Sequence, residues 1–402
     1  MKKWLILIGM ALLLPVALTP APALAAEKVP IPMGIIGDLS GPTSGLAGIA
    51  YGARDYYSYY NWKHGGINGH PISYLLLDGA EDIPKETANY KHLITMLKPV
   101  TLHVWSTGAN KALRTAINKV DRIPTFGETM SLEIIDPKNL PYHFISGGGY
   151  EDEIMIFMDW AKRLGGKTMV VLSGNLDWNM SSMNRVLKDP FNYAPKIGLK
   201  VLEYITFPAR PTDVTSEMLR AKALNPDFYL VWDVLEGVIP SLRAAEELGV
   251  PREKFFVCHW SMHPLVIERC SAEGVKSFKI FPDADELSAK GLPVGKEIDE
   301  FDAKHKIYTR RWEYVKGWCE SKIQVEGVKR VLDKNNNIVP KDILVFRKMV
   351  RDEIEGLKDW DLGIGHPTPV DFSDHKGWTW MTPMIVKGGK WVEHGPMMSV
   401  IK

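Results

Sequence analysis

The chain has 402 residues, 45% of them hydrophobic and 24% charged, with a formal net charge of +1. That is the composition of an ordinary globular protein of about two domains. The near-neutral balance gives no support to a nucleic-acid or anionic-membrane partner.

The first element is an export signal. Lys2 and Lys3 precede an apolar run from Trp4 to Leu18, and "APALA" sets Ala23 and Ala25 in the small-x-small pattern of a signal-peptidase site. Cleavage is expected after Ala25, and the remainder is expected to be exported and periplasmic. The apolar run is too short for a retained anchor, and no later segment approaches the ~20 apolar residues of a membrane span.

Strand-like runs then alternate with amphipathic segments. "MGIIGDL" (33–39) leads to a helix over 48–63, "ISYLLLD" (72–78) to a helix over 85–97, and "TLHVW" (101–105) to a helix over 111–121. Two further runs, "IPTFGET" (123–129) and "YHFIS" (142–146), close the first set. A second set pairs a helix over 151–164 with "KTMVVLS" (167–173), then a helix over 181–187 with "LKVLEYITF" (199–207). A helix over 214–223 precedes "FYLVWDV" (228–234), a helix over 238–248 precedes "KFFVCHW" (254–260), and "SFKIF" (277–281) ends the set. The turn-rich tail carries "GWTWMTPMIV", a "KGGK" turn and "WVEHG", which read as a terminal hairpin docked on an existing sheet.

Buried strands alternating with crossover helices predict an α/β fold: two Rossmann-like lobes with parallel sheets. In such sheets ligands bind beyond the carboxyl ends of the strands, so the strand-to-helix turns are the places to search.

Motifs for chemistry are wanting. "GGKT" (165–168) joins a helix to a strand and lacks the first glycine of a phosphate loop, and "GGG" (147–149) lacks the later glycine of a dinucleotide fingerprint. No nucleophile-elbow, Cys-x-x-Cys or zinc-protease pattern is present. His259 and His263, with Cys258 and Cys270 near, are the best metal candidates, but Pro264 breaks the helix that would aim both imidazoles at one ion. No metal, cofactor or enzymatic activity is expected. The third cysteine, Cys319, makes an odd count, so at least one thiol is free, with Cys258 and Cys270 the nearer pair.

The order of the pieces carries a resemblance. "IPMGIIGDLSGPTSGLAGIAYGARDYY", "GGINGHPISYLLLDGAEDIPKETANYKHLI", a strand ending in "WSTG", "DRIPTFGETM", "VVLSGNLDW", "NPDFYLVWDV", "EELGV" and "FFVCHW" together resemble the periplasmic solute-binding proteins of the leucine/isoleucine/valine-binding type. The resemblance implies a two-lobed receptor with a three-segment hinge, feeding a small ligand to the membrane permease of an ABC importer. The first lobe would comprise 26–145 and 283–376, the second 146–282 and 377–402. A monomer is expected. An exported ligand-sensing receptor of the same fold, coupled to a signalling partner, is the alternative.

In that family small hydroxyls and free backbone N–H groups at two turns hold the ligand carboxylate. The matching positions are Ser106, Thr107, Gly108 and Ala109, then Thr129, Met130 and Ser131, with Trp105 beside them as an apolar wall. Free N–H groups at a helix start form an anion site, although Ser106 and Thr107 would equally serve as plain helix caps. The second lobe would contribute Trp178, Trp232, Asp233, His259 and Trp260. Amino-acid binders of the family carry a Glu where this chain has His259. A buried ammonium without a carboxylate is costly, so either Asp233 takes over or the ligand has no α-amino group. The tryptophans offer flat walls suited to a ring or a branched chain, core packing being the ordinary role of each. Trp312 and Tyr314 lie near a further family contact region.

Overall fold

The computed structural model describes residues 28–358, 360–365 and 371–399. The expected signal peptide lies outside the described residues.

The first sheet begins with β1 (Ile31–Gly37), α1 (Gly48–His64), β2 (Ile72–Asp78), α2 (Ile83–Met96), β3 (Thr101–Val104), α3 (Thr107–Thr115), β4 (Thr125–Gly127) and β5 (His143–Gly147). The second is built from α4 (Tyr150–Arg163), β6 (Thr168–Gly174), α5 (Asp177–Leu187), α6 (Tyr193–Lys196), β7 (Lys200–Phe207), α7 (Thr215–Ala223), β8 (Phe228–Trp232), α8 (Leu235–Glu247), β9 (Phe255–Val257), α9 (Pro264–Arg269) and β10 (Lys276–Lys279). Four helices follow, α10 (Ala284–Ala289), α11 (Pro293–His305), α12 (Trp312–Lys334) and α13 (Ile343–Glu355), and then β11 (Lys376–Trp378), β12 (Trp380–Lys387), β13 (Lys390–Glu393) and β14 (Met398–Ser399).

The strand orders are β11-β5-β4-β3-β1-β2 and β13-β12-β10-β9-β8-β6-β7, with β14 on β12. All pairs in the first sheet are parallel, as are those from β7 to β10 in the second. The fold is therefore two α/β lobes with mostly parallel sheets. The chain changes sheet three times: between β5 and β6, between β10 and β11, and between β11 and β12.

The tail differs from the predicted hairpin in one respect. β12 and β13 pair antiparallel across Lys387 and Lys390 and dock on β10, but the first residues of that stretch, in β11, pair parallel with β5 in the other sheet. One short tail thus stitches both sheets. A docked hairpin and a strand crossing look alike locally, because both need only alternating apolar residues next to turns.

Each sheet is covered on both faces. β3 is buried throughout, with Leu102 and Val104 against Tyr90, Leu93 and Leu113 of α2 and α3. On the other face α1 meets α12 so closely that glycine is required. A Cβ at Gly52 would stand 2.1 Å from the Tyr314 carbonyl oxygen, and one at Gly317 would stand 1.9 Å from that of Ile49. α12, late in the chain, is by this contact part of the first lobe.

Candidate ligand-binding site

The stretch between β3 and α3 is a helix start with no loop. Ser106 is the N-cap (φ −75°, ψ 151°), its hydroxyl accepting the Ala109 N–H at 3.1 Å, while its own N–H donates to Glu86 Oε2 at 3.0 Å. Spacing predicts a helix only from 111; it begins at Thr107 because this cap satisfies its first turn. Thr107 Oγ1 lies 2.5 Å from Thr129 Oγ1, and the Thr129 N–H donates to the Trp105 carbonyl at 3.1 Å, so the turns after β3 and β4 are tied together. Trp105 Nε1 donates to Thr43 Oγ1 at 2.8 Å, and Thr43 is held by Asp38, which precedes "LSGPT", through its N–H (2.8 Å) and its hydroxyl (2.6 Å).

The second lobe faces this floor with rings. Tyr150, first residue of α4, packs 5.5 Å from Trp178, 5.8 Å from Trp232 and 6.3 Å from Trp260. Trp178 sits in the first turn of α5, a helix that starts earlier than predicted. Trp260 lies in a 3-10 turn after β9, 4.1 Å from the His259 ring and 5.5 Å from Trp312.

Between floor and rings is a cavity with about 340 Å³ of free space, including its mouth. Of the expected contacts, Trp105, Ser106, Thr107, Thr129, Trp178 and Trp260 line it. The others serve its walls from behind. Gly108 backs onto α2, where a Cβ would stand 2.3 Å from Ile83 Cδ1. Ala109 spends its N–H on the cap, Met130 accepts the Tyr150 N–H at 2.8 Å, and the Ser131 hydroxyl accepts that of Glu133 at 3.2 Å. Trp232 is fully buried behind Tyr150 and Trp178. Asp233 turns inward onto the Val234 N–H at 2.8 Å, and burial pushes its carboxyl up to about 7. His259 is paired through Nδ1 with Glu153 Oε2 at 2.5 Å.

Val234, at the end of the strand matched to a family contact region, and Thr43, Leu46, Ile49, Glu81, Glu128 and Tyr150, which sequence reasoning misses, complete the lining. Glu81 and Tyr150 belong to turns at strand ends, where a search is warranted, but nothing in "GAED" or "GGGY" marks a contact.

The two acids in the lining differ. Burial opposes ionisation of Glu128, yet Lys316 Nζ at 2.5 Å and His103 Nδ1 at 2.8 Å outweigh it and hold the carboxyl down at about 2. Lys316 is shared with Glu320 at 2.6 Å, which burial and the Glu128 charge push up to about 8. Glu81 has no such partner. Burial first, then the negative charges of Glu86 and Asp38, raise it to about 8.

Among the described residues, Glu153, Cys258 and His259, and separately His103, Glu128 and Glu320, come within metal-ligand spacing of one another. Both groups are buried and already hydrogen-bonded, the second around the Lys316 ammonium. His263 stands apart from His259, capping α9 by accepting the Leu265 N–H at 3.0 Å and contacting Arg311. The three cysteines are free and buried, so the Cys258–Cys270 pair does not form; the two lie in separate cores.

The lobes are in contact across the cleft. Arg210 donates to the Ser44 hydroxyl at 2.9 Å, Lys111 bridges Glu133 and Asp177 at 3.1 Å each, and Trp312 Nε1 donates to the Met262 carbonyl at 3.2 Å. Such links close a cavity around a guest.

The sequence matches the periplasmic binding protein family over residues 30–390. The chain belongs to that family. This periplasmic binding protein is therefore a solute receptor and not an enzyme; members bind small molecules and work with ABC transporter permeases.

Solved structures share its fold. A branched-chain amino acid ABC transporter protein from Thermus thermophilus, with bound valine, is 20% identical with a TM-score of 0.82, covering 92% of this chain and 97% of its own. A fatty acid ABC transporter substrate-binding protein from Thermomonospora curvata is 18% identical with a TM-score of 0.77, covering 93% of each chain. An extracellular ligand-binding receptor from Rhodopseudomonas palustris is 20% identical with a TM-score of 0.73, covering 92% of this chain and all of its own. A search of curated proteins finds no match.

Proposed function

We propose that the protein is exported after loss of residues 1–25 and, as a monomer, captures a small carboxylate, amide or amino acid with an aromatic or branched side chain. It then presents the ligand to the permease subunits of an ABC importer of the branched-chain-amino-acid type. In this reading the lobes are 26–145 with 283–376 and 146–282 with 377–402.

One observation carries the reading: the hydroxyls of Ser106, Thr107 and Thr129 face the rings of Tyr150, Trp178 and Trp260 across a single cavity. A carboxylate or amide placed on the hydroxyls also meets the first-turn N–H of Thr107, which has no intrahelical acceptor at a helix start, with the helix dipole behind it. Each charge-assisted hydrogen bond there contributes roughly 1.5 to 3 kcal/mol. The rings enclose the apolar part and exclude water. The buried Trp178 Nε1 has no protein partner, and an acceptor on the ligand would supply one.

Tryptophan fluorescence titration with leucine, valine, phenylalanine, phenylacetate and benzamide tests this. Saturable changes with branched or ring-bearing members are expected. No response to any member would remove the reading. Stimulation of the reconstituted permease's ATPase by the loaded protein separates transport from signalling.

A further inference from the structure

Four rings, Trp105, Tyr150, Trp178 and Trp260, share the cavity with the carboxylate of Glu81. The charges around that carboxylate can be followed element by element. From the first lobe, Asp38 after β1 and Glu86 on α2 add negative charge, and Thr43 and Trp105 offer only neutral hydrogen bonds, the Thr43 hydroxyl at 3.3 Å. From the second lobe comes the Tyr150 hydroxyl, while the Arg210 guanidinium is engaged by Ser44 and the Gly41 carbonyl. The Lys316 ammonium and the His103 imidazole are spent on Glu128. No described cation forms an ion pair with Glu81.

The backbone is committed to this placement. Ala80 and Glu81 both adopt left-handed conformations, φ 54° and 53°, which non-glycine residues avoid. Such conformations cluster at ligand contacts, where the surroundings hold them in place. The turn then ends at Asp82, which caps α2 on the Lys85 N–H at 2.7 Å.

We infer that the ligand carries a protonated amine and that Glu81, on the first lobe, is the residue that receives it. The inference rests on the cavity being the ligand site, as proposed above. It places both polar ends of the ligand on the first lobe, the acid or amide end on the Thr107–Thr129 pair and the amine on Glu81. The second lobe then contributes chiefly rings, whose faces also attract a cation. This resolves the difficulty posed by His259: the acid missing there is supplied from the turn after β2.

Matched probes test the assignment: L-leucine against 4-methylpentanoate, and L-phenylalanine against 3-phenylpropanoate, titrated calorimetrically into the wild type and E81Q. Melting curves first confirm that E81Q folds. The wild type should prefer the amine of a pair by roughly 10- to 100-fold, the scale of one charge-assisted contact. E81Q should lose that preference through weaker binding of the amine-bearing members. Because Glu81 must ionise to receive the amine, wild-type affinity for it should climb by up to about tenfold per pH unit from pH 6 towards 8, and E81Q should show no such climb. Equal binding of both members of each pair, or a preference that survives E81Q, would overturn the role of Glu81 and leave the site reading standing. Silence of every probe in the wild type would sink the site reading and this inference together.

Discussion

Glu153 Oε2 lies 2.5 Å from His259 Nδ1, and its other oxygen takes the His259 N–H at 2.9 Å. The acid comes from α4 and the imidazole from the turn after β9, so the pair fastens the first helix of the second lobe to the support of Trp260. Both side chains are almost fully buried. Breaking such a pair by removing one partner should cost about 3 kcal/mol. Urea denaturation of Glu153→Ala measures it, and a loss below about 1 kcal/mol would show that the pair contributes little beyond packing.

The Thr107 and Thr129 hydroxyls predict a separation of stability from affinity. Thr129→Val keeps the volume but leaves Thr107 without its 2.5 Å partner, costing about 1 to 2 kcal/mol, whereas the double change to valine removes both polar groups and should cost less. Both variants should bind the ligand at least about tenfold more weakly. Unchanged affinity in the double variant would argue that the pair is only structural.

Glu81 predicts a pH signature without any ligand. Its carboxyl is raised to about 8 in the folded protein against an ordinary 4.5. Below pH 4.5 both states are protonated and the wild type carries no penalty. Between these values the unfolded chain ionises while the folded one does not, so stability falls as pH rises through about 8. E81Q lacks this loss, and its melting temperature should gain on the wild type steadily from pH 5 to 8. A constant gap would mean that Glu81 is compensated.

The α1–α12 crossing predicts a severe effect from one methyl group. Gly317→Ala places a Cβ 1.9 Å from the Ile49 carbonyl, and backbone, unlike a side-chain tip, cannot swing aside. A loss of about 3 kcal/mol in chemical denaturation is expected. A variant as stable as the wild type would show that the two helices can part.

Much is legible locally. The strand and helix alternation, the cap at Ser106 and the wall at Trp105 all follow from period, capping chemistry and position at a strand end, which neighbours in sequence determine. Those local rules mark "HVWSTG" as a strand-to-helix turn worth searching, and the family resemblance adds the expectation of a ligand there. The limits of such rules are also local: Gly108 and Ala109 stand beside cavity-lining residues, but whether an N–H or a Cα faces cavity or neighbour depends on α2, whose Ile83 covers Gly108.

The sequence by itself determined two α/β lobes and the helix start after Ser106, because apolar periodicity and capping chemistry act over a few residues, and the order of its motifs carried the family resemblance that implies the first-lobe floor. Only the tertiary structure decided which acids are free. His259 and Asp233 read as available in the linear chain, but Glu153, 106 residues before His259, and the Val234 N–H claim them. Glu128 is neutralised by Lys316, 188 residues away, and Glu81 forms no ion pair with any described cation. Charge compensation is set by whichever side chain folding brings within a few ångströms, and no local pattern encodes that meeting.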